Sequence, residues 1–232
     1  MNAAVKSLLL AALIGTAPGG CATRNHLAAF MVLPDDGNNP AAYSRAERAI
    51  QTVFPAQYRA TQRAIITAGG KQFTCDGLLT VSPVEGHHLA LVSSFGTVTD
   101  LRVKADGVTE LLKVTPLFRE DWSRDFVARD LRRLFVPPAN LQPAGRLADG
   151  RLELKTVPDS AGVVAEYIFL ADGSRWEELD LARDGKIFYR ALAKRYRTLT
   201  GTASEMPSEF EVSAESYRLE LHIAAFKSEA QP

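Results

Sequence analysis

Between Arg63 and Thr115, short β-rich runs follow one another with turn residues between them: Gly69-Gly70, Pro83 with Glu85-Gly86, Gly96, and Asp106-Gly107. Gly-Gly and Asp-Gly tolerate the positive φ of tight hairpin turns, so the spacing predicts a meander of antiparallel strands. Strands wound in series curl toward a barrel. Phe73, Cys75, Leu79 and Val81 fall in one phase; Leu89 pairs with Leu91, and Leu101 with Val103. Leu78 and Thr80 share the other face, and 111–118 is apolar in both phases. A sheet wetted on one side alternates more cleanly, so the pattern predicts a cover on each side.

One cover follows the meander. Phe126, Val127, Leu131, Leu134 and Phe135 recur at helical spacing, with Arg124, Arg129, Asp130, Arg132 and Arg133 mostly opposite. Ser123 is the expected N-cap, and Pro137-Pro138 stops a helix of about 13 residues that packs inside the curved sheet. Ahead of the meander, Ser44-Arg45-Ala46-Glu47 forms a capping box for a short helix over 45–54, ended by Pro55. After a loop at 136–149 the strands resume: Leu152 and Leu154, then 163–170, a turn at Asp172-Gly173, then 176–182. Asp184-Gly185 is a two-residue hairpin turn into 187–196. Met206-Pro207 opens a last pair, with Tyr217, Leu219, Leu221 and Ile223 inward and Arg218, Glu220 and His222 outward. Ten or eleven strands with two helices make a mainly β (α+β) class. A split in the 136–149 loop leaves halves too small for comfortable cores of their own.

Composition removes several functions. Lys plus Arg equal Asp plus Glu, 27 each, so charge alone draws the chain neither to nucleic acid nor to anionic lipid. Arg132-Arg133 reads as a solvated helix face. His87-His88 sits on an expected turn, and there is no HExxH, CxxC or His/Cys cluster, so no metal is expected. Nor is there a Gly-x-Ser-x-Gly elbow or a phosphate loop. The carboxylate pairs Glu120-Asp121 and Glu177-Glu178 read as solvated or salt-bridged surface. The expectation is a binding module without catalytic residues or cofactor. Cys75 reads as a small buried apolar residue.

The N-terminus adds an address. Lys6 precedes the apolar run 7–14, and small residues lead to Gly19-Gly20-Cys21. This describes an export signal over 1–20, too short to span a bilayer, which takes ~20 residues. The Gly19-Gly20-Cys21 end resembles the lipobox of bacterial lipoproteins, in which Cys21 becomes the acylated N-terminus; Pro18 departs from its usual aliphatic residue. Ala22 after the Cys favours, by the same resemblance, the periplasmic face of the outer membrane. Residues 21–42, with Pro34, Asp35-Asp36-Gly37-Asn38-Asn39 and Pro40, read as a lipidated flexible tether, and 227–232 as a polar tail.

The order over 43–226 resembles the LolA/LolB lipoprotein-carrier superfamily, closest to LolB-related bacterial lipoproteins of uncharacterised role. The resemblance is carried by Cys21, the first helix, Ser94-Phe95-Gly96, the mid-chain helix, the Asp184-Gly185 hairpin, and Pro207 to Val212 with Tyr217 to Leu221. It implies a strongly curved antiparallel half-open barrel of about eleven strands, with helices as lid. It implies too an apolar cavity for an acyl chain, with a lipid or acylated molecule as cargo and a periplasmic carrier protein as partner. Phe73, Leu79, Leu91, Phe95, Leu101, Leu112, Val114, Trp122, Phe126 and Leu131 are the expected lining. LolB carries an exposed Leu on a protruding turn; the matching Val84-Glu85-Gly86-His87 here lacks it. The rival expectations are a lipid-anchored structural or adaptor protein with no ligand, and a hydrolase or acyltransferase needing Ser, His and carboxylate to converge.

Overall fold

The structure, a computed structural model, describes residues 39–115, 120–198 and 205–228; Cys21, the expected leader and nearly all of the expected tether lie outside them. Twelve antiparallel strands form one curved, open sheet in the order β5-β4-β3-β2-β1-β12-β11-β10-β9-β8-β7-β6. The first meander is β1 (Tyr58–Ala68), β2 (Lys71–Ser82), β3 (Gly86–Ser93), β4 (Gly96–Val103) and β5 (Thr109–Val114). It starts at the middle of the sheet and runs out to one edge. The second is β6 (Gln142–Arg146), β7 (Leu152–Lys155), β8 (Val163–Phe169), β9 (Trp176–Arg183), β10 (Lys186–Thr198), β11 (Glu205–Ala214) and β12 (Tyr217–Ser228). It starts at the far edge and works back until β12 pairs with β1, Ala64 opposite Leu221. The chain therefore passes from edge to edge once, and the passage contains the central helix.

That helix, α2, runs over 120–135: an α-turn at Glu120–Trp122, a π-turn at Ser123–Val127, and Ala128–Phe135. The π-turn takes an extra residue per turn, which accommodates both Phe126 and Val127 against the core. Ser123 is a fully buried residue at the start of that wide turn rather than the expected N-cap. Arg124 and Arg132 donate to the carbonyls of Thr109 and Gly107, tying α2 to β5 and the turn before it.

The first helix, α1, is Pro40–Thr52, several residues ahead of the expected start. Asn39 caps it, its Oδ1 accepting from the amide of Ala42 at 2.9 Å. Pro40 sits in the first turn, where its missing N–H is not needed. The Asn-Pro pair that reads as tether is thus a helix start, and Ser44 lies inside the helix. Ala42, Tyr43, Ala46 and Ile50 are its buried face. The loop expected at 136–149 contains β6, which makes twelve strands. Pro143 and Gly145 hide it, and both are tolerable because β6 is an edge strand with a bulge between them.

The sheet's inner face carries the core. In β1 every second residue from Tyr58 to Ala68 is buried. Asp184 and Gly185 adopt φ of 50° and 72°, as the two-residue hairpin requires. Cys75 is a buried free thiol. On the outer face of the second half, Arg190 grips Asp180 with two hydrogen bonds, 2.7 and 2.9 Å, and reaches Glu178 at 2.9 Å. Glu178 is thus salt-bridged but buried. His87 and His88 lie in β3, not on a turn; His88 Nε2 stands 2.6 Å from Asp100 on β4.

Candidate functional site

Between α2 and the inner face of the sheet lies a largely apolar cavity of about 130 Å³. Ala64 and Ile66 of β1, Leu89 and Leu91 of β3, and Leu219 and Leu221 of β12 form its floor. Trp122, Phe126, Val127, Leu131, Leu134 and Phe135 of α2 form its roof. Both walls follow from periodicity: β residues two apart and helical residues three or four apart face one side each.

Of the expected lining, Leu91, Trp122, Phe126 and Leu131 meet in this cavity. Leu79 and Leu101 point the same way but are wholly buried in core packing beside it. Val114 is half-buried against that core. Phe73 shares the inner phase but stands at the end of β2, 38% exposed. Leu112 is out of phase with Leu111 and 52% exposed. Phe95 is on the β3–β4 turn and 87% exposed, because β3 ends at Ser93. These last three lie outside the lining.

Four polar residues complete the wall: Gln62, Asp130, Ser216 and Tyr217. Sequence reading placed Asp130 on the wet face of α2, yet it is 6% exposed. The signal was present, since Asp130 stands four residues from both Phe126 and Leu134. Gln62 likewise falls in phase with Ala60, Ala64 and Ile66. Tyr217 donates its hydroxyl to Asp130 Oδ2 at 2.5 Å. Arg133 Nη1 lies 3.7 Å from Oδ1 while its guanidinium stacks 4.3 Å above the Tyr189 ring. Arg133 is therefore not the solvated cation expected; its neighbour Arg132 does face outward to a backbone carbonyl.

Burial pushes the Asp130 carboxyl up to about 6, against the opposing pull of Tyr217, Arg133 and Arg129. It holds its proton more tightly folded than unfolded, where the ordinary value is 3.8. The stability this group contributes is therefore complete below pH ~4 and lost as pH rises through about 6, on the order of 2–3 kcal/mol. Asp130→Asn is expected to flatten that slope. Chemical denaturation at pH 4 and 7.5 checks it; an unchanged slope rules out Asp130 as its source.

A second cavity, about 620 Å³, opens where the C-terminal ends of α1 and α2 approach the β2–β3 and β4–β5 turns. Its wall mixes Phe54, Tyr58 and Tyr167 with His87, Lys104, Arg132 and Arg133. Burial lowers the His87 pKa, partly offset by its bond to the Phe135 backbone. Phe135 lines both cavities. Among the described residues no cluster of His, Cys, Asp and Glu could hold a metal ion, and no helix is long and apolar enough to cross a membrane.

No known protein family's sequence pattern matches the chain, and no curated protein is similar to it in sequence. Solved structures are similar in shape. A putative outer membrane lipoprotein-sorting protein domain from Vibrio parahaemolyticus superimposes with a TM-score of 0.57 at 11% identity, over 82% of this chain and 94% of that one. A DUF1329 family protein from Desulfovibrio piger gives 0.53 at 11%, over 83% and 93%. A LolA superfamily protein from Nitrosomonas europaea gives 0.52 at 11%, over 82% and 94%. A curved antiparallel sheet, open along one side and lidded by helices, is thus common to all three, and this chain has the fold of the LolA superfamily.

Proposed function

We propose that the chain is an exported lipoprotein that binds an acyl chain or lipid-like molecule between α2 and the sheet, in transport or assembly of envelope lipids or lipoproteins. The observation that carries this reading is the cavity walled mainly by aliphatic and aromatic side chains beneath α2. Each methylene moved there from water gains ~0.8 kcal/mol. Nothing catalytic is required for that, and the reading is of a carrier, not an enzyme. The similar Vibrio structure is described as an outer membrane lipoprotein-sorting domain, which supports cargo of this kind. Acylation at Cys21 would hold the protein on the periplasmic face of the outer membrane, with 21–38 as tether and a periplasmic carrier protein as partner.

A second reading is a lipid-anchored structural or adaptor protein with no ligand, and the modest 130 Å³ of apolar space favours it. One experiment separates the two. Protein purified from membranes is analysed by native mass spectrometry and lipid extraction, beside an Ala64→Phe variant whose new ring fills the cavity. The carrier reading expects acyl species on the wild type and their loss from the variant at equal or higher Tm. A wild type that retains no acyl species under any condition leaves the adaptor reading.

A further inference from the structure

Gln62 is the anomaly of the cavity floor. It is 5% exposed, and its side-chain oxygen has no hydrogen-bond partner. A buried polar group without a partner is disfavoured, and nearly all find one. The sheet nevertheless makes room for this one. Opposite it on β2 stands Gly77, where a Cβ would lie 2.9 Å from Gln62 Cγ and 3.0 Å from a Leu91 methyl. A glycine inside a strand marks close approach, and here what approaches is the Gln62 side chain. The β1–β12 register also shifts beside Gln62, with Ala224 of β12 the extra residue, while β1 keeps its alternation and holds Gln62 on the inner face.

From the roof, Asp130 lines the same cavity with a second acceptor. Its Oδ2 takes the Tyr217 hydroxyl, and its buried Oδ1 faces Arg133 Nη1 at 3.7 Å, beyond hydrogen-bond reach. Two acceptor oxygens in an apolar space repel a free carboxylate, so the acid end of a fatty acid is not what belongs here. Arg129 and Arg133 beside Asp130 offset its charge, which leaves little to attract a cation. What fits is a neutral N–H or O–H flanked by hydrocarbon.

We infer that the cavity selects an acyl or alkyl chain carrying a neutral hydrogen-bond donor, a secondary amide N–H or a hydroxyl, received by the Gln62 carboxamide oxygen with Asp130 Oδ1 as the second acceptor. This deepens the proposed acyl-binding role and rests on it. Gly77 is the positioning residue that keeps the carboxamide lying along the floor.

The test uses the full chain and two matched probe pairs that differ only in the donor: N-methyloctanamide against methyl octanoate, and nonan-1-ol against 1-methoxyoctane. Calorimetric titration is expected to show the donor of at least one pair bound about tenfold more tightly, the size of one buried acceptor satisfied. The pair that discriminates tells amide from hydroxyl. Gln62→Leu should bring both pairs within about twofold by weakening only the donors. Its Tm should not fall, because the substitution removes a buried unpartnered oxygen. Equal affinities within both pairs on the wild type overturn the inference while the acyl-binding role stands. Discrimination that survives Gln62→Leu also overturns it. Failure of all four probes to bind sinks the acyl-binding role itself. Should Gln62→Leu not fold, the wild-type pairs alone decide.

Discussion

Replacing Gly173 by alanine is expected to unseat α1. Gly173 lies in the β8–β9 turn at φ 73°, and a Cβ there would stand 2.2 Å from the carbonyl oxygen of Ala42 and 3.0 Å from the amide of Ala46. Both are backbone atoms of α1, so no side chain can rotate away. The turn also holds α1 from the other side, since Arg45 donates to the carbonyl of Asp172. Relief of the clash means lifting the helix, and with it Tyr43, Ala46 and Ile50, from the core. Together with the left-handed backbone this should cost about 3–5 kcal/mol, or on the order of 10 °C in Tm for a chain of this size. Gly162→Ala is the control. Its φ is also 73°, but nothing lies within 4 Å of its Cβ position, so the loss should be only ~1 kcal/mol. Equal losses at the two positions, read by thermal and urea denaturation, would show that α1 does not rest on this turn.

Phe135→Ala should have the other large effect, and it should act on size selection as well as stability. Phe135 ends α2 and is buried between Phe54 and Phe210, with ring centroids 5.2 and 5.7 Å away. Truncation of a buried Phe costs about 3–5 kcal/mol. The same ring is wall to both the apolar cavity and the larger, more polar one, so its removal should join them. In a displacement series of fatty alcohols against a fluorescent fatty-alcohol probe, the longest chain accepted should grow by several methylenes. A cut-off that stays put while Tm falls would leave Phe135 as core packing and not as the partition.

The sequence carried the architecture where geometry follows from local chemistry. Asp184-Gly185 could hardly be anything but a hairpin turn, and the alternation of β12 put Tyr217, Leu219, Leu221 and Ile223 on one face. It failed where a residue type had two meanings. Asn39-Pro40 describes a tether as well as a capped first turn, and only the buried Tyr43 and Ala46 choose between them. Pro143 and Gly145 argue against a strand unless that strand is an edge with a bulge, which depends on partners distant in the chain. Phe95 and Leu112 are apolar enough to line a cavity, but the end of β3 and the phase of β5 turn them outward. The polar members of the site were missed for the opposite reason. Gln62 and Asp130 fit the inward period, and their chemistry argued against taking the period at its word.

The two edge strands are not neighbours in the ladder. A fully closed barrel has its girth fixed by an unbroken ring of hydrogen bonds, and a bulkier guest can enter only by rupturing some of them. Here the seam between β5 and β6 spares the ring. A change of twist could widen the trough with every ladder bond intact. Movement of α2 would instead have to break its ties to Thr109, Gly107 and Tyr217. The constraint on widening therefore sits in the helix and not in the sheet.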